Sequence, residues 1–388
     1  MRNPDLQNNG VALSPETGST ESLIAEIVDL AKAGLPRMFN PERQLFCNIL
    51  CRDASGQLVQ QGISHRYSMM TLLGLHRLET GGSTSPISIE PVMDVLTSDL
   101  GWVRYAGDLG VLLWLCAVVD PGRLESLGPK LNLRNALVRF DDARQGSTTE
   151  LAWMLAGLAH AKLAAISSIP DLDGLSATVY GLLKANQGPY GIFGHLAAAG
   201  SLAGRLRGRA GCFADQVYPI YALAQFGQAY GDTEAIQCAQ ECAEAIVRLQ
   251  GPQGEWWWHY DAATGRVSRP YPVYSVHQHG MAPMALLALE KVTNLKFSAA
   301  IARGLHWIPA ENLLRFDMRY PEGGLVWRNI HLDSKWPQVQ ELLSLYLGSS
   351  PRPVLKNPCV AFECRPYELG WALYAFAPRP ETGSRASR

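Results

Sequence analysis

The chain has 388 residues and 47% of them are hydrophobic, enough apolar side chain for a large buried core. Lys plus Arg total 34 against 35 for Asp plus Glu, and no basic block interrupts the sequence, which argues against a nucleic-acid or anionic-membrane role. No apolar run is long enough to span a membrane, and the polar start "MRNPDLQNNGVALSPETGST" lacks the apolar centre of a secretory signal, so the expectation is a cytoplasmic protein.

Residues 1–18 and the tail "PRPETGSRASR" read as disordered, leaving one domain over 19–378. Strand signals are scarce along that domain, and Ala and Leu recur at helical spacing. The helices are of two kinds. Stretches 20–36, 88–99, 121–140, 172–186, 233–249 and 296–308 each have one charged face and one apolar face. Stretches 66–79, 103–119, 148–166, 215–230, 279–292 and 364–377 are apolar nearly all round, which marks buried helices. The two kinds alternate, with long connections leading into several of the apolar helices, at 37–64, 187–213, 250–278 and 309–362. Repeated helical hairpins of this length and number predict an all-α ring, an (α/α)6 toroid with the apolar helices inside. Pro219 and Pro283 lie near the starts of their inner helices, where proline is tolerated. The eight cysteines include Cys47/Cys51 and Cys238/Cys242 at helical spacing, but no CxxC pair, and read as free thiols.

In such a ring the long loops and the N-termini of the inner helices share one face. The six inner helices begin with His65, Arg66 and Tyr67; Tyr105 and Asp108; Thr148, Thr149 and Glu150; Asp215 and Gln216; Tyr274, His277, Gln278 and His279; and Glu363, Arg365, Tyr367 and Glu368. Helix capping accounts for Ser147, Thr148 and Asp215, and acids there complement the helix dipole. Arg66 and Arg365 have the wrong sign for that role, and the histidines are not caps. The pattern therefore points to a funnel-shaped site, in which Arg66 and Arg365 are either ion-pair partners of Asp108 and Glu150 or clamps for an anionic group.

Two turns repeat. "LQGPQGEWWW" reads Gln250-x3-Gly254-x-Trp256 and "ANQGPYGIFG" reads Gln187-x3-Gly191-x-Phe193. Each follows an outer helix: a Gly turns the chain, a Gln satisfies free carbonyls, and an aromatic packs on the turn. This resembles the repeat of α/α-toroid proteins, namely squalene–hopene-type terpene cyclases and, more loosely, six-hairpin glycosidases with related epimerases and lyases. The stretch "FADQVYPIYALAQFGQAYGDTEAIQCA" (213–239) is similar to unsaturated glucuronyl and rhamnogalacturonyl hydrolases, and the resemblance implies that Asp215 is the catalytic aspartate. "QGPQGEWWWHYDAATG" (250–265) resembles the next loop of that family and implies that His259 contacts substrate. The chain departs from the family at "YSVHQHGMAPMA", where His277, Gln278 and His279 replace the family's acidic group.

The expected function is that of a carbohydrate-active enzyme using general acid/base chemistry for hydrolysis, elimination or epimerisation of a small saccharide or oligosaccharide. Asp215, His259, Glu150 and His277 are the candidate catalytic residues. His65, Arg66, Tyr67, Asp108, Gln216, Trp257, Trp258, Tyr274, Gln278, His279, Arg365 and Glu368 are the candidate substrate contacts, with Arg66 and Arg365 suiting a uronide. The alternative is a terpene cyclase with Asp108 or Asp215 as the protonating acid, although the only adjacent acids are in "FDDAR" (140–144). His277 and His279 are two apart and have no spaced third ligand, so no metal is expected, and no phosphate-loop or dinucleotide fingerprint calls for a cofactor.

Overall fold

The computed structural model describes residues 19–138, 147–196, 208–333, 341, 345–346 and 357–378. Both tails expected to be disordered, and the "FDDAR" acids, lie outside the described residues. In chain order the helices are α1 (Thr20–Met38), α2 (His65–Thr80), α3 (Ile89–Ser98), α4 (Ala106–Val119), α5 (Pro121–Leu127), α6 (Leu133–Val138) and α7 (Thr148–Leu163). They continue with α8 (Leu172–Lys184), α9 (Ala214–Tyr230), α10 (Thr233–Arg248), α11 (Ala282–Glu290), α12 (Ser298–His306) and α13 (Pro366–Phe376).

Helices α2, α4, α7, α9, α11 and α13 form the inner ring. Each packs on the next, and α13 returns to α2, so the ring is closed. The apolar character of these helices is the reason: α4 is buried from Ala106 to Ala117 and α9 from Asp215 to Gly227. Glycine sets the closest approach. A Cβ on Gly74 of α2 would stand 2.1 Å from the carbonyl oxygen of Gly370 on α13. The amphipathic helices lie outside with one face covered. Helix α1 packs on the last inner helix, where a Cβ on Gly34 would stand 3.1 Å from the Leu369 side chain.

Two helical expectations need correction. The stretch 121–140 is not one helix: α5 ends in a 3-10 turn at Gly128–Lys130, because Pro129 supplies no amide hydrogen and clashes with a preceding turn. The fifth inner helix opens with one π-helical turn, His277–Met281, ahead of α11.

The larger omission concerns strands. The long connections form short antiparallel strands: β1 (Phe39–Asn40), β2 (Leu45–Arg52), β3 (Leu58–Ile63), β4 (Ala210–Cys212), β5 (His259–Asp261) and β6 (Arg266–Arg269). Further along come β7 (Val273–Tyr274), β8 (Arg319–Tyr320), β9 (Leu325–Val326), β10 (Asn329–Leu332), β11 (Pro358–Ala361) and β12 (Glu363–Cys364). Cys47 and Cys51 therefore share strand β2 rather than a helix, and all eight cysteines are free. The β2–β3 hairpin turns at "DASG", where Asp53 Oδ1 accepts the Ser55 and Gln57 amides at 2.8 and 2.9 Å. Pairing of β4 with β5, of β7 with β10, and of β12 with β2 stitches neighbouring connections together. All of these connections lead into inner-helix N-termini, so the sheets wall one mouth of the ring.

Candidate active site

The two repeated turns have the same geometry. Gln187 Nε2 donates to Gly191 O at 3.2 Å and to Cys238 O at 2.9 Å, on the next outer helix. Gln250 Nε2 donates to Gly254 O at 2.8 Å and to Ala300 O at 2.9 Å, again on the next outer helix. Gly191 and Gly254 have φ of +83° and +87°, which suits glycine. Phe193 and Trp256 are fully buried beneath the turns. Each turn then delivers a histidine, His195 or His259, to the mouth of the ring.

Both histidines are held by a carboxylate. His195 Nδ1 lies 2.9 Å from Asp215 Oδ2. His259 Nδ1 lies 2.5 Å from Glu341 Oε1, and Arg269 approaches the other Glu341 oxygen at 3.7 Å. The two pairs adjoin: Cys212, in register with His259 across β4 and β5, donates its amide to Asp215 Oδ2 at 3.0 Å. Asp215 Oδ1 also accepts the Thr149 amide and hydroxyl at 3.1 and 2.7 Å. Burial opposes ionisation of Asp215, but His195 and these donors outweigh it and hold the carboxyl below its ordinary value. Asp215 is thus held as a carboxylate by four contacts and is fully buried.

Contacts between successive inner helices continue around the whole mouth. Arg66 Nε meets Asp108 Oδ1 at 2.7 Å, linking α2 to α4. Gly107 donates its amide to Glu150 Oε2 at 3.4 Å, linking α4 to α7, and Thr149 with Asp215 links α7 to α9. Phe213, just before α9, packs on the His277 ring at 4.4 Å. Arg328 then stacks over Tyr274 at 5.1 Å and places Nε 3.5 Å from Glu368 Oε1 on α13. Arg365 closes the circle by donating to the Tyr67 hydroxyl on α2 at 2.7 Å.

Glu368 is the most perturbed acid in this belt. Its Oε2 accepts the Arg365 amide at 3.3 Å, whereas Oε1 is near Arg328 but out of line for a hydrogen bond. Burial pushes its pKa up to about 7, against the pull of Arg328 and Arg365. Asp108 Oδ2 likewise accepts the Tyr105 amide at 3.2 Å, so each of these two acids satisfies the backbone amide just ahead of its own helix in addition to its ion pair.

Rings line the space between these groups. Arg66 lies 5.1 Å from the Trp153 ring and 5.7 Å from Tyr105, and His65 stacks on Trp102 at 5.0 Å. Trp258 stacks on His259 at 4.9 Å and is tilted against Tyr274 at 4.9 Å. Trp257 turns away, donating Nε1 to Leu249 O at 2.9 Å.

Several expected contacts have other roles. Gln216 is buried, exchanging hydrogen bonds of 2.9 Å with both the amide and the carbonyl of Phe193. Gln278 is buried between the Trp256 amide (3.4 Å) and Tyr274 O (3.2 Å). His279 is fully buried, and burial pushes its pKa down to about 4. His277 is enclosed by Phe213, Trp258 and Tyr274, and burial pushes its pKa down to about 3. It is a neutral ring in the wall rather than an exposed base.

His195, Glu341, Arg269 and Arg328 were not anticipated. A signal existed for His195, since it follows the Gln187 turn as His259 follows the Gln250 turn. Arg328, which ion-pairs with Glu363, sits in an irregular connection whose sequence carries no pattern. Among the described residues no group of three His, Cys, Asp or Glu is placed to hold a metal, and no helix is long and apolar enough to cross a membrane.

No protein-family model matches the chain, and neither does any curated protein. Solved structures do match. An unsaturated glucuronyl hydrolase specific for heparin is 14% identical with a TM-score of 0.54, over 92% of this chain and 95% of that one. A glycosyl hydrolase family 88 protein from Bacteroides vulgatus is 12% identical with a TM-score of 0.58, over 93% and 98%. Cellobiose 2-epimerase from Bacillus thermoamylovorans is 10% identical with a TM-score of 0.60, over 92% and 99%. The chain has the (α/α)6 toroid fold of these proteins, as its alternating helices predicted.

Proposed function

We propose that this protein is a carbohydrate-active enzyme that moves protons on a saccharide, with His195 and His259 as its acid/base pair. The observation that carries the reading is the pair of imidazoles on neighbouring connections, each held at Nδ1 by a carboxylate and delivered by the same repeated turn. A carboxylate at Nδ1 fixes the tautomer and orientation of the ring and stabilises it once protonated. Two such rings suit epimerisation, in which one removes a proton beside a carbonyl and the other returns one to the opposite face. They equally suit elimination, in which one removes the C–H proton and the other protonates the leaving oxygen. Trp258 offers a flat face for a sugar ring, and Arg66 and Arg365 suit the carboxylate of a uronide. Asp215 then positions His195 rather than touching substrate. The related folds named above support a saccharide substrate, and nothing in the comparisons supports the terpene-cyclase alternative.

Hydrolysis is the second reading, favoured by Glu368, whose raised pKa lets it carry a proton near neutral pH. A screen of neutral and uronide oligosaccharides in D2O separates the two. Epimerisation incorporates deuterium at carbon and elimination yields an unsaturated product, whereas hydrolysis leaves every C–H intact. Both activities should vanish in His195→Ala and His259→Ala. Turnover that survives both substitutions would remove the imidazoles from the mechanism.

A further inference from the structure

His195 and His259 sit on different connections, and one short strip of chain, residues 208–212, joins them. On one side of the strip Gly208 O accepts the His195 amide at 2.7 Å. On the other side β4 runs beside β5, with Ala210 opposite Asp261 and Cys212 opposite His259. The strip is closely fitted to the His195 side. A Cβ on Gly211 would stand 2.0 Å from Phe193 O, and the Cys212 amide is bound by the same carboxylate that holds His195. The ladder to the His259 side is short: three residue pairs, continued by the Phe213 amide, which donates to Trp258 O at 2.9 Å. β4 reads Ala-Gly-Cys, and such a strand has no large side chain to mark its register. A slip of one residue would shift Asp215 and His195 by about 3.4 Å relative to His259.

A two-pronged ion pair stands at the end of this ladder. Arg209, the residue before β4, places Nε 2.9 Å from Asp261 Oδ1 and Nη2 2.5 Å from Asp261 Oδ2. A guanidinium engaged through both prongs fixes geometry as well as charge. Asp261 is buried, and its oxygens also accept the Ala263 amide at 3.0 Å and the Thr264 hydroxyl at 2.7 Å in the turn that follows β5. The Arg209 carbonyl accepts the Ala262 amide at 3.0 Å, so main chain and side chain of one residue both grip β5. The grip lies two residues from His259. A buried carboxylate needs a partner for stability alone, and any cation in reach meets that need. A bidentate bridge across the end of a ladder that its own side chains leave unmarked does more, because it specifies the register.

We propose that Arg209 and Asp261 are positioning residues for the acid/base pair: their fork locks β4 to β5 and thereby sets where His195 stands relative to His259. The inference rests on the reading of those two imidazoles as the proton-moving groups. Neither residue acts on substrate; both act through the strands.

The test compares Arg209→Lys, Asp261→Asn and Arg123→Lys with wild type. Arg123 is a control of the same kind, meeting Asp94 and Asp120 at 2.8 and 3.1 Å on the outer helices. Two quantities are read: turnover of the oligosaccharide that wild type converts, and the ring-nitrogen NMR shifts of isotope-labelled histidine, assigned with His195→Ala and His259→Ala. Arg209→Lys keeps the charge and loses the fork. It is expected to lower kcat by about 10- to 100-fold with KM within about twofold, and to move the His195 and His259 signals. Asp261→Asn should act in the same direction, and Arg123→Lys should change the melting temperature alone. If Asp261→Asn does not fold, Arg209→Lys decides by itself, since that side chain is partly exposed. An unchanged kcat in Arg209→Lys, a loss confined to KM, or a loss of kcat with both histidine signals unmoved overturns the inference. Turnover that survives His195→Ala and His259→Ala overturns the acid/base reading and this inference with it, whereas an unaffected Arg209→Lys beside inactive histidine variants overturns the inference alone.

Discussion

Asp215 is fully buried, yet the imidazole it holds at 2.9 Å, His195, is 41% exposed. The carboxylate is inside and the imidazole is partly outside. Replacing either residue should therefore stop turnover, but with different effects on stability. His195→Ala is expected to reduce the rate by about 100-fold or more and to change the melting temperature little. Asp215→Asn is expected to lose activity and also about 1–3 kcal/mol of stability, since an amide cannot accept all of the present donors. Equal destabilisation by the two variants would mean that the pair is purely structural.

The same pair sets an acid limit. The Asp215 carboxyl titrates lower in the folded protein than its ordinary value, so its stabilising contribution is complete above the ordinary carboxylate range and disappears as pH falls through the folded value. Urea midpoints measured from roughly pH 3 to 7 should drop at the acid end for wild type and less steeply for Asp215→Asn.

Glu368 has the opposite sign. Its pKa rises to about 7 on folding, so wild type should lose stability as pH climbs from the ordinary carboxylate range toward 7 and then level off. Glu368→Gln removes that slope and should be relatively more stable at alkaline pH. If Glu368 also carries a catalytic proton, the variant loses the limb of the activity profile near neutrality. Parallel stability curves for the two proteins would show that Glu368 ionises freely.

Gly254 and Gly191 predict the strength of the repeated turn. A Cβ on Gly254 would stand 2.1 Å from Arg303 O, and its φ of +87° is unfavourable for alanine. Gly254→Ala should cost about 2 kcal/mol or more, and Gln250→Ala about 1–2 kcal/mol through two orphaned carbonyls. Denaturant midpoints check both.

Arg365→Met tests recognition of an anionic substrate. It should raise KM for a uronide by roughly 10- to 100-fold and leave a neutral analogue unaffected. Arg66→Met is expected to do the same but also to destabilise the protein, because Asp108 is left buried beside the vacated site. Equal effects on both substrates would exclude charge recognition.

The ring was legible because its inner helices are apolar on every face, a pattern that only burial explains. The repeated Gln–Gly–aromatic turn was equally legible, since a left-handed glycine and a carbonyl-bridging glutamine are local requirements. The strands were not, because pieces such as β7, β9 and β12 are two residues long and form only when distant connections meet. The polar helix starts do come together at one mouth, but exposure within it depends on tertiary packing. Gln216 and His279 share the composition of ligand contacts and are sealed, whereas His195 stands in an ordinary-looking loop and is open.

Closure of the ring has a kinetic consequence. Thr20 and His306, 286 residues apart in sequence, come within 3.4 Å where the first helix meets the end of the last outer one. An open stack of hairpins can add units one at a time. A circle leaves the apolar flank of an inner helix uncovered until its two ends meet, so partial rings gain little and assembly should be concerted and slow. It also means that the position at which the chain starts is arbitrary around the circumference: joining the ends and opening a different outer connection should return the same molecule.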